Sequence, residues 1–241
     1  MTDAHTTKAF DSDLQELARM VAEMGGLAEK QVADAVDALA KRDTALAQRI
    51  TQSDAVIDAL QSGIEEKAVL TIARRQPLAI DLREIVAALR LANDLERIGD
   101  LAKNIAKRVI ALNAEFPPPK LIRGVEHMAD LVLGQMKAVL DAYAQRDLSK
   151  AMAVWRGDEE IDAMTTSVFR ELLTYMMEDP RNITFCIHLL FCAKNIERMG
   201  DHATNIAETV HYMIEGHPIT DKRPKGDDTT AFATLRAAGD R

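Results

Sequence analysis

Two segments of the chain carry oxygen-bearing side chains at four-residue steps. They are Glu96, Asp100 and Asn104 in the first segment and Glu197, Asp201 and Asn205 in the second. Side chains four residues apart lie on one face of an α-helix, so each trio forms a stripe if its segment is helical. Two carboxylates at this spacing destabilise an isolated helix by about 0.2–0.5 kcal/mol. We therefore expect something nearby to offset the repulsion.

An acidic pair precedes each stripe at a similar distance. The pairs are Asp54 with Asp58 and Asp158 with Asp162. If Pro77 and Pro180 mark the turns of two helical hairpins, each pair stands nearly level with its stripe, because an α-helix rises about 1.5 Å per residue. Four carboxylates from two facing helices would then meet in each hairpin. Such a group is tolerated when protons or a cation neutralise it.

The donor types restrict which metal such sites could hold. Oxygen ligands favour a hard divalent ion such as Mg²⁺ or Mn²⁺ and allow iron (Fe), whereas the missing His and Cys ligands disfavour structural zinc (Zn). His202 could add a ligand in the second stripe, but we expect an exposed or hydrogen-bonded imidazole there. A single Glu-x-x-x-Asp motif is more often a solvated helix face paired with Lys or Arg. Facing pairs in both segments strengthen the metal interpretation, and both interpretations stay open at this point.

The rest of the sequence predicts long helices that would position these residues. Aromatic residues make up only 4% of the chain, while Ala, Leu, Glu, Asp and Met are plentiful, which suits helices better than strands. Apolar residues recur at spacings of three and four in six stretches. These stretches cover about 9–43, 45–75, 79–112, 121–146, 148–178 and 182–214. The predicted fold class is all-α.

The two halves of the chain are copies of one unit. Residues 92–107 and 193–208 match at nine of sixteen positions with a constant offset of 101, and the second helices correspond at an offset of 104. This repetition predicts two tandem three-helix bundles. Gly99 and Gly200 sit inside helices of the two copies, where close helix approach or room for the cluster would explain them. The expected boundaries are a flexible N-terminus at 1–8, a first repeat at 9–115, a Pro-rich linker at 116–120, a second repeat at 121–215 and a disordered tail at 216–241.

Charge and apolar content limit the partners and the location. The net charge is −8, which argues against a nucleic-acid binder because neutralising phosphates requires clustered Lys and Arg. The N-terminus lacks a signal-peptide pattern and no run of about 18 apolar residues occurs, so we expect a soluble cytoplasmic protein. Cys186 and Cys192 are six residues apart on different helix faces, and we expect both to be buried, reduced thiols.

Several segments in this order resemble the PhoU family of phosphate-transport regulators. They are MGG at 24–26, RRQPLAIDLR at 74–83, LERIGD at 95–100, TYMMEDPR at 174–181 and LFCAKNIERMGD at 190–201. The resemblance covers about residues 9–214 and implies a six-helix, two-repeat fold with a metal cluster on each repeat. The family motif falls on Glu96 and Asp100 and on Glu197 and Asp201. The hairpin geometry together with the resemblance adds the aspartates at 54, 58, 158 and 162.

The resemblance also implies a function without catalysis. Family members are cytosolic adaptors, commonly homodimers, that join the ATPase subunit of the phosphate ABC transporter to a membrane sensor histidine kinase. They are peripheral to the membrane through these partners, and they restrain phosphate uptake and repress the phosphate-starvation response when phosphate is plentiful. One alternative is a carboxylate-bridged di-metal enzyme, which typically takes ligands from four helices and includes Glu-x-x-His elements that neither stripe contains. A purely structural helical scaffold is the other alternative.

Overall fold

The computed structural model describes residues 2–112, 119–221 and 223. Within these ranges the chain forms α-helices and one short 3-10 turn at Pro180–Asn182, and no strand. The helices are α1 (Thr2–Lys41), α2 (Thr44–Arg75), α3 (Ala79–Ala111), α4 (Pro119–Gln145), α5 (Leu148–Arg156), α6 (Asp158–Glu178) and α7 (Ile183–Glu215). None of the described helices combines the length and the apolar content needed to cross a bilayer. The predicted linker and the predicted tail lie partly outside the described residues.

The all-α, six-helix prediction is confirmed, with two corrections to helix bounds. Helix α1 begins at Thr2, so residues 2–8 are helical where a flexible N-terminus was expected. The fifth predicted helix, 148–178, is broken into α5 and α6 at Gly157. The Gly157 amide donates to the carbonyls of both Ala153 and Val154, which tightens and ends α5. Three acidic residues at 158–160 then begin α6, where negative charge is favoured by the helix dipole.

The two repeats pack side by side around one core. In the first repeat α2 packs against α3 and α1, and in the second α7 packs against α4, α5 and α6. Helix α3 also packs along α7, and α1 along α4, so the buried apolar residues form one cluster that spans both repeats. Ile98 and Ile105 on α3 and Met199 and Ile206 on α7 belong to it. The acidic stripes therefore lie on the two central helices.

The first turn of each repeat is the same structure. Asp43 caps α2 by accepting from the Leu46 amide at 2.8 Å, and Asp147 caps α5 by accepting from the Lys150 amide at 3.1 Å. The residue before each aspartate is an arginine in the left-handed region, with φ of 58° at Arg42 and 52° at Arg146. Both pairs are related by the offset of 104 found in the sequence. The repeated turn supports the internal duplication.

The two caps make matched stability tests possible. Replacing Asp43 or Asp147 by Ala should lower the free energy of unfolding by about 1 kcal/mol, because one helix N-terminal amide loses its acceptor. Urea denaturation followed by the helical circular dichroism signal measures the loss. Asn at either position should leave stability nearly unchanged, since its carbonyl oxygen caps equally well. Equal losses for Ala and Asn would show that the caps contribute little.

Both cysteines are buried and unpaired, as the sequence predicted. Burial raises the pKa of Cys192 to about 12 and also raises the pKa of Cys186. A thiol held in its neutral form is a poor nucleophile and a poor metal ligand. The cysteines therefore belong to the core of α7 and not to a reactive site.

Candidate functional site

The two helices of each hairpin approach each other closely beside the acidic residues. A Cβ atom built at Gly99 of α3 would lie 3.0 Å from Cδ1 of Ile57 on α2. The same construction at Gly200 of α7 gives 2.9 Å to Cδ1 of Ile161 on α6. Each glycine therefore lets an isoleucine of the preceding helix pack directly on the helix backbone. The close approach expected from these glycines is confirmed, and it brings the aspartates of α2 and α6 against the stripes.

In the first repeat a lysine lies between two carboxylates. Asp54 on α2 is only 4% exposed, and its Oδ1 accepts from Nε2 of Gln31 on α1 at 3.1 Å. Its Oδ2 accepts from Nζ of Lys103, which also donates to Oδ1 of Asp100 at 3.3 Å. The hydrogen bond to Asp54 is the main cause that raises the pKa of Lys103. One ammonium group thus joins the acidic residues of α2 and α3.

In the second repeat, an arginine that follows the last helix lies between the two aspartates, as Lys103 does in the first repeat. Asp158 is 3% exposed, and its Oδ2 accepts from Nε of Arg223 at 2.9 Å. Nη2 of Arg223 donates to Oδ1 of Asp201 at 2.8 Å. Thr204, which corresponds to Lys103 in the sequence repeat, contributes a neutral hydroxyl that donates to Asp158 at 3.4 Å. Each repeat therefore joins its pair of aspartates through one basic side chain.

The glutamates of the two stripes face the remaining aspartates of the hairpins. Burial raises the pKa of Glu96, and the negative charges of Asp100 and Asp58 raise it further. Burial also raises the pKa of Glu197, with further increases from Asp201 and Asp162, while Lys194 opposes the shift. Asp58 and Asp162 are the smallest of these contributions, and Arg97 opposes the shift of Glu96. Added positive charge at either site would be favourable.

Two members of the predicted stripes lie apart from the acidic pairs. Asn104 is exposed on α3. Asn205 donates through Nδ2 to Oδ1 of Asp94 on α3 at 3.4 Å, and Nδ1 of His202 lies 2.8 Å from the same oxygen. His202 is thus hydrogen-bonded, as expected, at the contact between the repeats. In the described ranges no three His, Cys, Asp or Glu side chains gather into a group that could hold a metal ion.

Sequence reasoning missed several residues that complete these sites. They are Gln31, Asp94, Lys103, Thr204 and Arg223. Lys103 could have been found, because it lies three residues after Asp100 on the same helix face. Gln31 also had a signal, since Gln135 stands at the repeat offset of 104 and donates to the carbonyl of Gly157, next to Asp158, at 2.9 Å. Arg223 lies outside the repeat and had no such signal.

Comparison with known proteins decides the family. The model of the PhoU domain matches this chain twice, at residues 21–109 and 125–210, which are the two repeats. The chain belongs to the PhoU family. The two matches cover the helices that carry both acidic sites.

Individual relatives and solved structures agree with this assignment. The chain is 58% identical to a phosphate-specific transport system accessory protein PhoU homolog of Rhizobium meliloti, over 98% of this chain and 99% of the relative. It is 53% identical to the homolog of Caulobacter vibrioides, over 92% of this chain and 97% of that one. The crystal structure of PhoU from Pseudomonas aeruginosa superposes with a TM-score of 0.83 at 41% identity, covering 86% of this chain and all of that one. The phosphate transport system regulatory protein PhoU from Streptococcus pneumoniae gives 0.81 at 29% identity, covering 88% of this chain and all of that one.

The donor chemistry of these PhoU sites fits a hard divalent cation. In each repeat, two carboxylates from two helices converge on one positively charged group, and the second of these aspartates also raises the pKa of the glutamate four residues before it. Carboxylate oxygens are the ligands that Mg²⁺ and Mn²⁺ prefer. A metal ion would have to replace the basic side chain, because both would neutralise the same aspartates.

Removing the first basic side chain should destabilise the fold. Lys103→Met leaves the buried Asp54 carboxylate with Gln31 as its remaining partner, and we expect a loss of about 1–3 kcal/mol in the free energy of unfolding. Guanidinium denaturation in the presence of EDTA measures it. Lys107→Met, at an exposed lysine one turn along α3, is the matched control and should have little effect. Combining Lys103→Met with Asp54→Asn should recover part of the loss, and a purely additive double variant would contradict the pairing.

Proposed function

We propose that the protein is an accessory regulator of phosphate-specific transport that acts as a cation-binding adaptor without catalytic activity. The observation that carries this proposal is the match of nearly the whole chain, at 58% identity, to a phosphate-specific transport system accessory protein. The fold adds support, because the structures from Pseudomonas aeruginosa and Streptococcus pneumoniae are PhoU proteins, and the second is a phosphate transport system regulatory protein. No residue is assigned a catalytic role.

The cation-binding part of the proposal rests on the geometry of the two hairpins. In the first repeat the ligands would be Asp54, Asp58, Glu96 and Asp100. In the second they would be Asp158, Asp162, Glu197 and Asp201. A bound Mg²⁺, Mn²⁺ or iron ion would neutralise these carboxylates and cross-link the two helices of the hairpin. In this proposal the two sites stabilise or regulate the helical hairpins, and they take no part in catalysis.

An adaptor also needs surfaces for other proteins. Phe169 on α6 and Ile187 and Phe191 on α7 are exposed apolar side chains that line one groove of the second repeat. Exposed apolar groups of this kind favour contact with another protein. We propose that the partners are the ATPase subunit of the phosphate transporter and the sensor histidine kinase, that the protein works in the cytoplasm as a homodimer, and that it represses the starvation response.

The di-metal enzyme is less well supported by the geometry. Its ligands would come from four helices around one centre. Here each acidic pair comes from two helices, α2 with α3 and α6 with α7. Two separate cation sites on one adaptor fit this arrangement better.

Deleting the gene tests the regulatory role. In phosphate-rich medium the deletion strain should express alkaline phosphatase constitutively and take up phosphate without restraint, because the repressing adaptor is missing. Alkaline phosphatase activity and uptake of labelled phosphate are measured with and without the wild-type gene on a plasmid. The plasmid should restore repression. Wild-type levels of both readouts in the deletion strain would count against the proposed function.

A metal assay tests the two sites in the purified protein. Alanine at both Glu96 and Asp100 should lower the bound metal by about half, because one of two equivalent carboxylate sites is lost. The protein is stripped with EDTA, refilled with Mn²⁺ and analysed by atomic emission, while circular dichroism checks that helix content is intact. Alanine at both Glu126 and Asp130 on α4 provides a charge-matched control and should keep full occupancy. Unchanged stoichiometry in the Glu96 and Asp100 variant would reject the first site.

A further inference from the structure

The two repeats neutralise equivalent aspartates with bases of different origin. Lys103 belongs to α3 itself and lies three residues after Asp100. The second repeat has Thr204 at that position, and its base is Arg223, eight residues beyond the last residue of α7. The duplicated helices thus lost or never had a second lysine, and a residue after the helices occupies the equivalent place.

The stretch after α7 must turn back along the helix for this contact to form. Gly216 ends α7 in the left-handed conformation, with φ of 81°. Asp201 lies 14 residues before Glu215, which is a rise of about 21 Å along the helix. The eight residues from Glu215 to Arg223 span at most about 26 Å when extended. Because the arginine side chain adds to this reach, Arg223 can contact Asp201 when the chain turns back towards α7 after Gly216.

Burial explains why a base is held there. Asp158 is 3% exposed, and an ionised carboxylate removed from water is strongly destabilising unless a positive group or several hydrogen bonds compensate it. The bond from the Thr204 hydroxyl is long at 3.4 Å, and the carbonyl of Gly200, at 3.1 Å, competes for the same proton. The guanidinium of Arg223 supplies the charge and spans both Asp158 and Asp201.

Lys103 and Arg223 differ in how far their backbones can move away from the aspartates. The Lys103 side chain can turn away from Asp54, but its backbone stays within α3. Arg223 is attached through a stretch that is not helical at 217–221, so it can leave without unfolding any helix. The contact of Arg223 is therefore the exchangeable one.

We propose that Arg223 is an internal substitute for the divalent cation of the second site. Its guanidinium neutralises Asp158 and Asp201 in the cation-free protein, and a divalent cation binding there displaces it and frees the stretch after α7. The proposal rests on the cation binding proposed above and adds that occupancy of the second site changes the position of this stretch. A cation that displaces Lys103 at the first site releases no such stretch, because Lys103 belongs to α3.

The contact itself is tested without metal, by a double-mutant cycle in EDTA. Arg223→Ala should lower the denaturation midpoint because Asp158 loses its positive partner, and the effect should largely vanish when Asp158→Asn is already present. Arg181→Ala removes an equal charge that is exposed and paired with Asp179, so it serves as the control. Additive effects of Arg223→Ala and Asp158→Asn would overturn the proposal.

The exchange is tested by Tb³⁺, a hard cation whose luminescence is sensitised by a nearby indole. Trp155 is the only tryptophan of the chain and lies three residues before Asp158, so its excitation reports on the second site. Arg223→Ala should raise the Tb³⁺ affinity about tenfold, because the ion no longer displaces a charge-assisted hydrogen-bonded pair. Arg223→Lys should stay near the wild type, and so should Arg181→Ala. Excess Mn²⁺ should remove the signal.

The other results of the Tb³⁺ titrations separate the exchange from cation binding itself. Equal Tb³⁺ affinity of the wild type and Arg223→Ala would overturn the exchange while leaving cation binding intact. Loss of the signal in the variant with Asp158→Asn and Asp201→Asn would confirm that the ion sits at this pair. No Tb³⁺ or Mn²⁺ binding by the wild type or by Arg223→Ala would reject the proposed cation site, and the exchange with it.

Discussion

Neutralising a carboxylate buried between two helices is the constraint on which the sites of this protein depend. Asp54 and Asp158 lie almost out of contact with water, on the first helix of each hairpin. A charge in that position needs a partner of opposite sign, because the apolar core of the helices cannot stabilise it. The structure meets this need with one basic side chain in each repeat, and that side chain also reaches the acidic stripe of the next helix.

Glycines and apolar packing at the helix contacts bury Asp54 and Asp158, and this burial makes neutralising their charges necessary. Gly99 and Gly200 admit an isoleucine of the preceding helix to within about van der Waals contact of the backbone. The neighbouring aspartates are drawn in with it, so the packing of the core and the electrostatics of the site are two results of one helix crossing. Any change in the counter-charge of these aspartates would act on the same crossing.

Duplication and divergence make the two sites unequal. The helices, the first turn of each repeat and the glycine at the crossing are shared, but Lys103 is matched by Thr204. One repeat therefore carries its counter-charge within a helix, while the other depends on Arg223, a residue far along the chain. The two sites therefore have the same acidic residues but hold their counter-charge in different parts of the chain.

The sequence by itself determined the helical class, the duplication, the helix bounds to within a few residues at most ends, and the level at which the acidic residues of each hairpin meet. Apolar periodicity, proline positions and the rise per residue of a helix are local quantities, and they can be read from neighbouring residues. The apolar periodicity predicted one continuous helix through Gly157. In the structure the Gly157 amide donates to two carbonyls, α5 ends there and α6 begins.

Only the tertiary structure decided which side chains complete the sites. A step of four residues turns about 40° beyond a full turn of the helix, so Asn205 drifts from the acidic stripe of α7 towards Asp94 on α3. The partner that Asn205 meets depends on how α3 packs against α7, and no local sequence pattern specifies this packing. The position of Arg223 also depends on the tertiary structure. The buried carboxylate of Asp158 attracts a basic side chain, and only the folded chain determines which one is within reach.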